Sequence, residues 1–290
     1  MLRSSKLALL ALTTVLLSGD HLYGQTTWSV DPEIPWTTAF GTIQAALDSP
    51  DVQSGDTILV APDVYFENLD FNGKSVSITA TLGASNTFLI ASGDLPCIRA
   101  VSGEGLGAAF VGFTVLHLSD GDDTPLFLEM SGAVLRIEDC LVQDIDAGWT
   151  SEFASVIDSD LQIRDCTFFE NQGSEFSGTD SSLDVSGCLF QDNAYWEDGN
   201  SPLMINGGTC TFEDTQFIDN WPWYSGGAMW LRGTNAQILN CTFEGNGTVD
   251  DYFGGAILIG TPWGDPSGLD GSLVEIVSCA FADNYAGTGG

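Results

Sequence analysis

A six-residue pattern, Cys-x-Phe-x-x-Asn, recurs through the second half of this chain and restricts its possible folds more than any other feature. It stands as CTFFEN at 166–171, CLFQDN at 188–193, CTFEGN at 241–246 and CAFADN at 279–284, with TQFIDN at 215–220 carrying Thr in the first place. With Cys140 as an earlier member, the positions Cys140, Cys166, Cys188, Thr215, Cys241 and Cys279 lie 26, 22, 27, 26 and 38 residues apart. Repetition at that period marks a solenoid, a rod of stacked coils that each touch only their neighbours.

The coils are built from strands. Each motif follows a short run that alternates apolar and polar residues, such as AVLRIEDC, DLQIRDC, SLDVSGC, TNAQILNC and SLVEIVSC, with a period of two rather than 3.6. A second short strand, such as PLFLEM, PLMI, GAMWLRG or GAILIG, completes the unit, and no helical pattern intervenes. Leucine-rich and ankyrin coils are thereby excluded, and an all-β parallel solenoid is left. From Thr57 the chain accommodates about nine coils, a rod about 43 Å long at the ~4.8 Å strand spacing.

In such a rod equivalent residues stack. Cys and Phe, two places apart, are expected on the inward side of one strand, so that Phe168, Phe190, Phe217, Phe243 and Phe281 form an internal column. Asn171, Asn193, Asn220, Asn246 and Asn284 follow at a bend, where Asn tolerates left-handed backbone and its amide bonds the equivalent residue above. The cysteines read either as a disulfide or metal series or as small buried residues. The second reading is preferred, because side chains stacked in parallel suit a disulfide poorly, Thr215 replaces one of them, and only His21 and His117 are at hand for zinc.

The beginning of the chain is different. Arg3 and Lys6 precede the apolar run Leu7 to Leu17, followed by small and polar residues to about Gln25, so residues 1–24 are read as an export signal. No later apolar stretch is long enough to span a bilayer as a helix, and the product is expected to be secreted or at the cell surface. Residues 25–56 are read as an N-terminal cap, whose helix over Phe40 to Ser49 presents Phe40, Ile43, Ala46 and Leu47 on one face and stops before Pro50. Residues 57–290 are the solenoid.

The run from FGTIQAAL through GDTILVAPDVYFENL to KSVSITA resembles the N-terminal capping coil of right-handed parallel β-helix proteins of the pectate-lyase-like superfamily, and GEGLGAAFVGFTV resembles the coil that follows it in bacterial secreted members. The Phe/Asn motifs, with GGAM at 226–229 and GGAI at 254–257, resemble the FxxN and GGAI repeats of polymorphic outer-membrane proteins. That resemblance implies the fold and leaves the activity open, since the scaffold carries lyases, hydrolases, esterases and adhesins. The chain stops at FADNYAGTGG, where a further GGA strand is due, so the reading expects a rod cut short there, with an uncapped edge prone to end-to-end self-association.

Charge narrows the partners. There are 40 acidic residues against 7 basic ones, and beyond the leader the only cations are Lys74, Arg99, Arg136, Arg164 and Arg232. Such a surface repels nucleic acid and polyanionic substrates, although neutral glycans stay open to it. Paired carboxylates such as Asp158 with Asp160, or Asp180 with Asp184, are so common that they carry little information about a hydrolase. Calcium is the cofactor to consider: SDGDDT gathers Asp120, Asp122 and Asp123 around a glycine turn, the alternative being a solvated acidic loop. Trp221, Trp223 and Tyr224, with Trp196 one coil earlier, are candidate rings for stacking on sugars or docking on a surface protein, or else a local satellite core. The function expected is surface binding or adhesion without catalysis, with a carbohydrate-active enzyme on the same scaffold as the alternative.

Overall fold

The computed structural model describes residues 25–33, 39–118, 126–146, 153–172, 176–193, 202–223, 226–248, 253–260 and 271–287. They form a parallel β-solenoid with three sheets running along it, of 11, 9 and 8 strands. A typical coil contributes Asp160–Arg164 to the first sheet, Thr167–Phe169 to the second and Phe176–Thr179 to the third. Every pairing is parallel and in register, as in Leu161↔Leu183 and Phe168↔Phe190. From Thr57–Val60 to Leu273–Val277 the first sheet stacks nine strands, which span about 38 Å at the usual spacing.

The coil holds three strands where the sequence pattern shows two. The additional strand, Thr167–Phe169 and its equivalents, lies inside the Cys-Phe-Asn motif and is only three residues long, too short for alternation to register. Cys166 therefore sits in the corner before that strand rather than in it, yet both Cys166 and Phe168 are buried. The phenylalanine column is as expected from Phe168 to Phe243, with Phe281 half-exposed at its end: the rings of Phe168, Phe190, Phe217, Phe243 and Phe281 stack nearly parallel, with centroids 4.7, 5.0, 4.9 and 4.9 Å apart. Aromatic pairs of this kind add about 0.5–1.5 kcal/mol each beyond the area they bury.

The asparagines form a continuous buried ladder. Asn171 Nδ2 donates to Asn193 Oδ1 at 3.1 Å, Asn193 Nδ2 to Asn220 Oδ1 at 3.0 Å, and Asn220 Nδ2 to Asn246 Oδ1 at 2.8 Å. The left-handed backbone is not theirs, however. It falls one residue earlier, at Glu170, Asp192, Asp219, Gly245 and Asp283, because the bend must turn the Asn side chain inward where it bonds the next coil. The cysteine column follows the same rule, with Asp139, Asp165, Gly187, Asp214 and Asn240 left-handed before it. Cys140 N and Cys166 N donate to the thiols of Cys166 and Cys188 at 3.5 Å, and Cys188 N to Thr215 Oγ1 at 3.4 Å, which is why Thr fits the column. All seven cysteines are free thiols, and burial pushes Cys97 and Cys210 up to about 12. A third polar column, unread in the sequence, joins the third sheet to the first: Ala133 N donates to Ser159 Oγ and Ser159 N to Ser181 Oγ.

At the N-terminal end the helix is Ile43–Asp48, with Ile43, Ala46 and Leu47 buried against the first coil. Phe40 is not on it. Thr42 is extended and caps the helix by accepting from Ala45 N, so Phe40 belongs to a strand, Ala39–Phe40, and packs on Trp28. The Glu67 carboxylate takes the N–H groups of Ile43 and Gln44, and the Lys74 ammonium takes Leu47 O and Ser49 O, so both ends of the helix are satisfied electrostatically. Strand Thr27–Val30 already pairs with Thr57–Val60 and extends the first sheet.

Candidate functional site

The three corners of a coil are not equivalent. Between the first and second sheets the connection is two residues in every coil from Val134–Glu138 onward, for example between Arg164 and Thr167. Between the third and first sheets it is also two residues from Leu128–Ser131 to Met229–Arg232. The stretch from the second sheet to the third instead varies from three residues (66–68) to twelve (245–256). Between Leu128–Ser131 and Met229–Arg232 the length variation therefore falls at one corner, whereas outside those coils the third-to-first connection is six residues at 71–76, eight at 101–108 and thirteen at 260–272.

The residues picked out from the sequence all belong to connections of this one kind. Asp120, Asp122 and Asp123 fall in 119–127, Trp196 in 192–202, and Trp221, Trp223 and Tyr224 in 219–228. Asp120, Asp122, Asp123, Trp196 and Tyr224 lie outside the described residues. Trp221 follows the ladder residue Asn220 directly. Its counterpart one coil on is Gly247, where an added Cβ would stand 2.6 Å from the Trp221 ring, and two coils on is Tyr285, whose ring stacks with Trp221 at 6.5 Å. Trp221 and Trp223 are both half-buried, and Tyr285 is exposed. Tyr285 is a member that the sequence reading missed; its signal was its place immediately after Asn284.

Trp230 stands elsewhere, on the outer side of strand Met229–Arg232 in the third sheet. Its indole N–H donates to Gly260 O at 2.7 Å and the Arg232 guanidinium lies 5.2 Å from its ring centroid. The same outer row carries Asp70, Arg99 and Glu129 on successive coils, with Arg99 bridging the two carboxylates at 2.9 and 2.7 Å. The hydrogen bond to Glu129, then that to Asp70, raises the Arg99 pKa further.

Every Lys and Arg from Lys74 onward is thus engaged within the chain. Lys74 caps the helix, Arg99 bridges two acids and Arg232 covers Trp230. Arg136 Nε lies 3.2 Å from Glu138 Oε2, an ionic contact too bent for an aligned hydrogen bond, and Arg164 donates to Gln162. Of the acid pairs considered, Asp158 and Asp180 are left-handed corner residues, and Asp160 and Asp184 point outward from the first sheet. No group of three or more His, Cys, Asp or Glu side chains suited to a metal ion occurs among the described residues.

A family model for the right handed beta helix region matches residues 126–289, more than half of the chain, and the protein belongs to that family. No curated protein and no solved structure matches it.

Proposed function

We propose that the protein is an exported, non-catalytic binding module whose rigid coil displays one variable edge to a glycan or to a surface protein. The observation that carries this reading is the asymmetry of the corners: between Leu128 and Arg232 two are two residues long in every coil while the third ranges from six to eleven. A scaffold that holds its fold constant and lets one edge vary is suited to recognition, as loops on rigid frameworks generally are. The engagement of all five cations within the chain supports it further, since a lyase acting on uronates needs cationic groups free to meet the substrate carboxylate. The aromatic residues of the variable edge, Trp221 and Trp223 among them, supply flat surfaces for sugar rings.

The test is to pass the purified chain, with and without calcium, over a polysaccharide panel while recording both retention and release of reducing or unsaturated ends. Retention without turnover, lost in Trp221→Ala/Trp223→Ala, is the expected result. Turnover abolished by changing a single carboxylate would replace this reading with that of a carbohydrate-active enzyme.

A further inference from the structure

The outward face of the second sheet is uncharged over most of the rod. Its strands Val64–Tyr65, Phe88–Ser92, Thr114–Leu118, Leu141–Gln143, Thr167–Phe169, Leu189–Gln191 and Gln216–Ile218 hold no Asp, Glu, Lys or Arg, and the first such residue along the sheet is Glu244. The other two sheets differ: the first turns Arg136, Glu138, Asp160 and Asp184 outward, and the third Asp70, Arg99 and Glu129. Strand residues alternate, so the neighbours of the buried Tyr65, Leu89, Val115, Val142 and Phe168 point out. Towards the N-terminal end these are Val64 beside Phe88 and Ile90 beside Leu116, joined by Phe66 and Leu118. Val64, Phe66 and Leu118 are 41%, 71% and 57% exposed. Leu141, Phe169, Leu189 and Ile218 continue the strip, each partly exposed.

From Leu141 onward both borders of this strip are acidic. Asp139, Asp165 and Asp214 stand at the corner before it, and Asp144, Glu170, Asp192 and Asp219 at the corner after it, all left-handed and, Asp192 excepted, exposed. None of them is in an ion pair among the described residues, where the Arg contacts go to Asp70, Glu129 and Glu138. Gln143 and Gln191, on the strip itself, donate to the Asp144 and Asp192 carboxylates at 3.0 Å. Border residues such as Asp165 and Glu170 lie at most about 17 Å apart at the ~3.3 Å rise of a strand, and a helix with its side chains is about 10–12 Å across. Along the rod the strip runs about 29 Å from Val64 to Ile218 at the usual strand spacing, the length of about 19 helical residues.

We propose that this strip binds an amphipathic helix of another polypeptide, laid along the rod, whose apolar stripe is flanked by Lys or Arg. The stripe covers the outward side chains from Phe66 to Ile218, and the cations meet the two carboxylate rows, the pattern by which amphipathic helices are generally recognised. Charge decides among the occupants of such a face. A second copy of the chain would bring its own carboxylate rows against these, and an anionic lipid surface is repelled by them, whereas a cationic segment gains at both borders. The face adjoins the variable edge but shares none of its aromatic residues, and its occupant is independent of the ligand there.

The probe is the peptide LKKLLKLLKKLLKLLKKL, whose leucines fall on one helical face, fluorescently labelled and titrated into the purified chain. Saturable binding of one peptide per chain is expected, weakening as salt rises. A peptide of the same composition with its leucines scattered around the helix is expected to bind at least tenfold more weakly. Phe66→Ser/Leu118→Ser, at already exposed positions, is expected to weaken binding tenfold or more. Asp165→Asn/Asp192→Asn/Asp219→Asn, where Asn keeps the left-handed backbone, is expected to weaken it about tenfold, while Asp160→Asn/Asp184→Asn/Glu213→Gln, which removes as much charge from the first sheet, leaves it unchanged. All three variants should keep the far-ultraviolet circular dichroism of the parent. The proposal is overturned if neither peptide binds, if both bind alike, if Phe66→Ser/Leu118→Ser binds as the parent does, or if the first-sheet variant loses as much as the border variant. A dimer in sedimentation, or retention on neutral phosphatidylcholine vesicles, that Phe66→Ser/Leu118→Ser abolishes would also overturn it, because a second copy or a lipid surface would then be the occupant.

Discussion

Asn193 sits in the middle of the asparagine ladder, and replacing it with alanine strips partners from three buried groups at once. Its Oδ1 accepts from Asn171 N at 3.2 Å and Asn171 Nδ2 at 3.1 Å, and its Nδ2 donates to Phe168 O and Asn220 Oδ1, both at 3.0 Å. In Asn193→Ala the two Asn171 donors and the Phe168 carbonyl lose these bonds where water does not reach. At about 1–2 kcal/mol per stranded group after relaxation, the loss is about 3–6 kcal/mol, a large share of the stability of a domain this size. Asn284→Ala removes equivalent bonds to Asn246 and Phe243 at the half-exposed end of the ladder, where water substitutes, and should cost about 1 kcal/mol. Urea denaturation followed by circular dichroism, fitted with a nearest-neighbour model suited to a solenoid, compares the two. Equal losses for both variants, or less than about 1 kcal/mol for Asn193→Ala, would refute the view that the buried ladder holds the coils together.

Four further outcomes are expected. Asp192→Val should cost about 1–2 kcal/mol and Asp192→Gly well under 1 kcal/mol, because the backbone there has φ 54°; equal losses in denaturant would contradict the strain argument. Cys97, Cys210 and Cys241 should resist an aromatic disulfide reagent at mildly alkaline pH until denaturant is added, since burial pushes them up to about 12, 12 and 11; prompt labelling of the native chain would contradict their burial. For Asp56, burial alone would raise the carboxyl pKa, but bonds from Gln53 N, Trp28 Nε1 and Thr26 N hold it below its ordinary 3.8. Its contribution is therefore present above 3.8 and lost as pH falls through the lower folded value, so pepsin should release the N-terminal strand only below 3.8, and Asp56→Asn should remove that step. Finally, Asp144, Glu170, Asp192 and Asp219 occupy one left-handed corner on successive coils. Neighbouring charges ~4.8 Å apart repel by about 0.9 kcal/mol in water, so raising salt from about 0.01 to about 1 M should raise the melting temperature, and an unchanged value would show that the stack carries no strain.

Much of the rod was legible because a solenoid writes its contacts into its spacing. Phe168, Phe190, Phe217, Phe243 and Phe281 share one offset from Asn in the sequence, and one column in space. The third strand of each coil was not legible, since three residues such as Thr167–Phe169 are too few for alternation to show. Nor was the use of the acidic residues. Among the described residues, nine of the thirteen non-glycine left-handed positions are Asp, so part of the chain's acidity lies in its corners rather than in a ligand site. At the variable edge, the aromatic residues around Trp221 were readable as composition and Tyr285 by its place after Asn284, whereas the stacking of Trp221 on Tyr285, 64 residues away, was not.

The sequence by itself determined the period, the inward column and the identity of the ladder residues, because side-chain facing is a local property of an extended backbone. Tertiary structure alone decided where each bend falls, which residue in it turns left-handed and which edge of the rod varies. Those depend on a hydrogen bond to the next coil, 22 to 38 residues along the chain, and no local pattern records which atom will be waiting there.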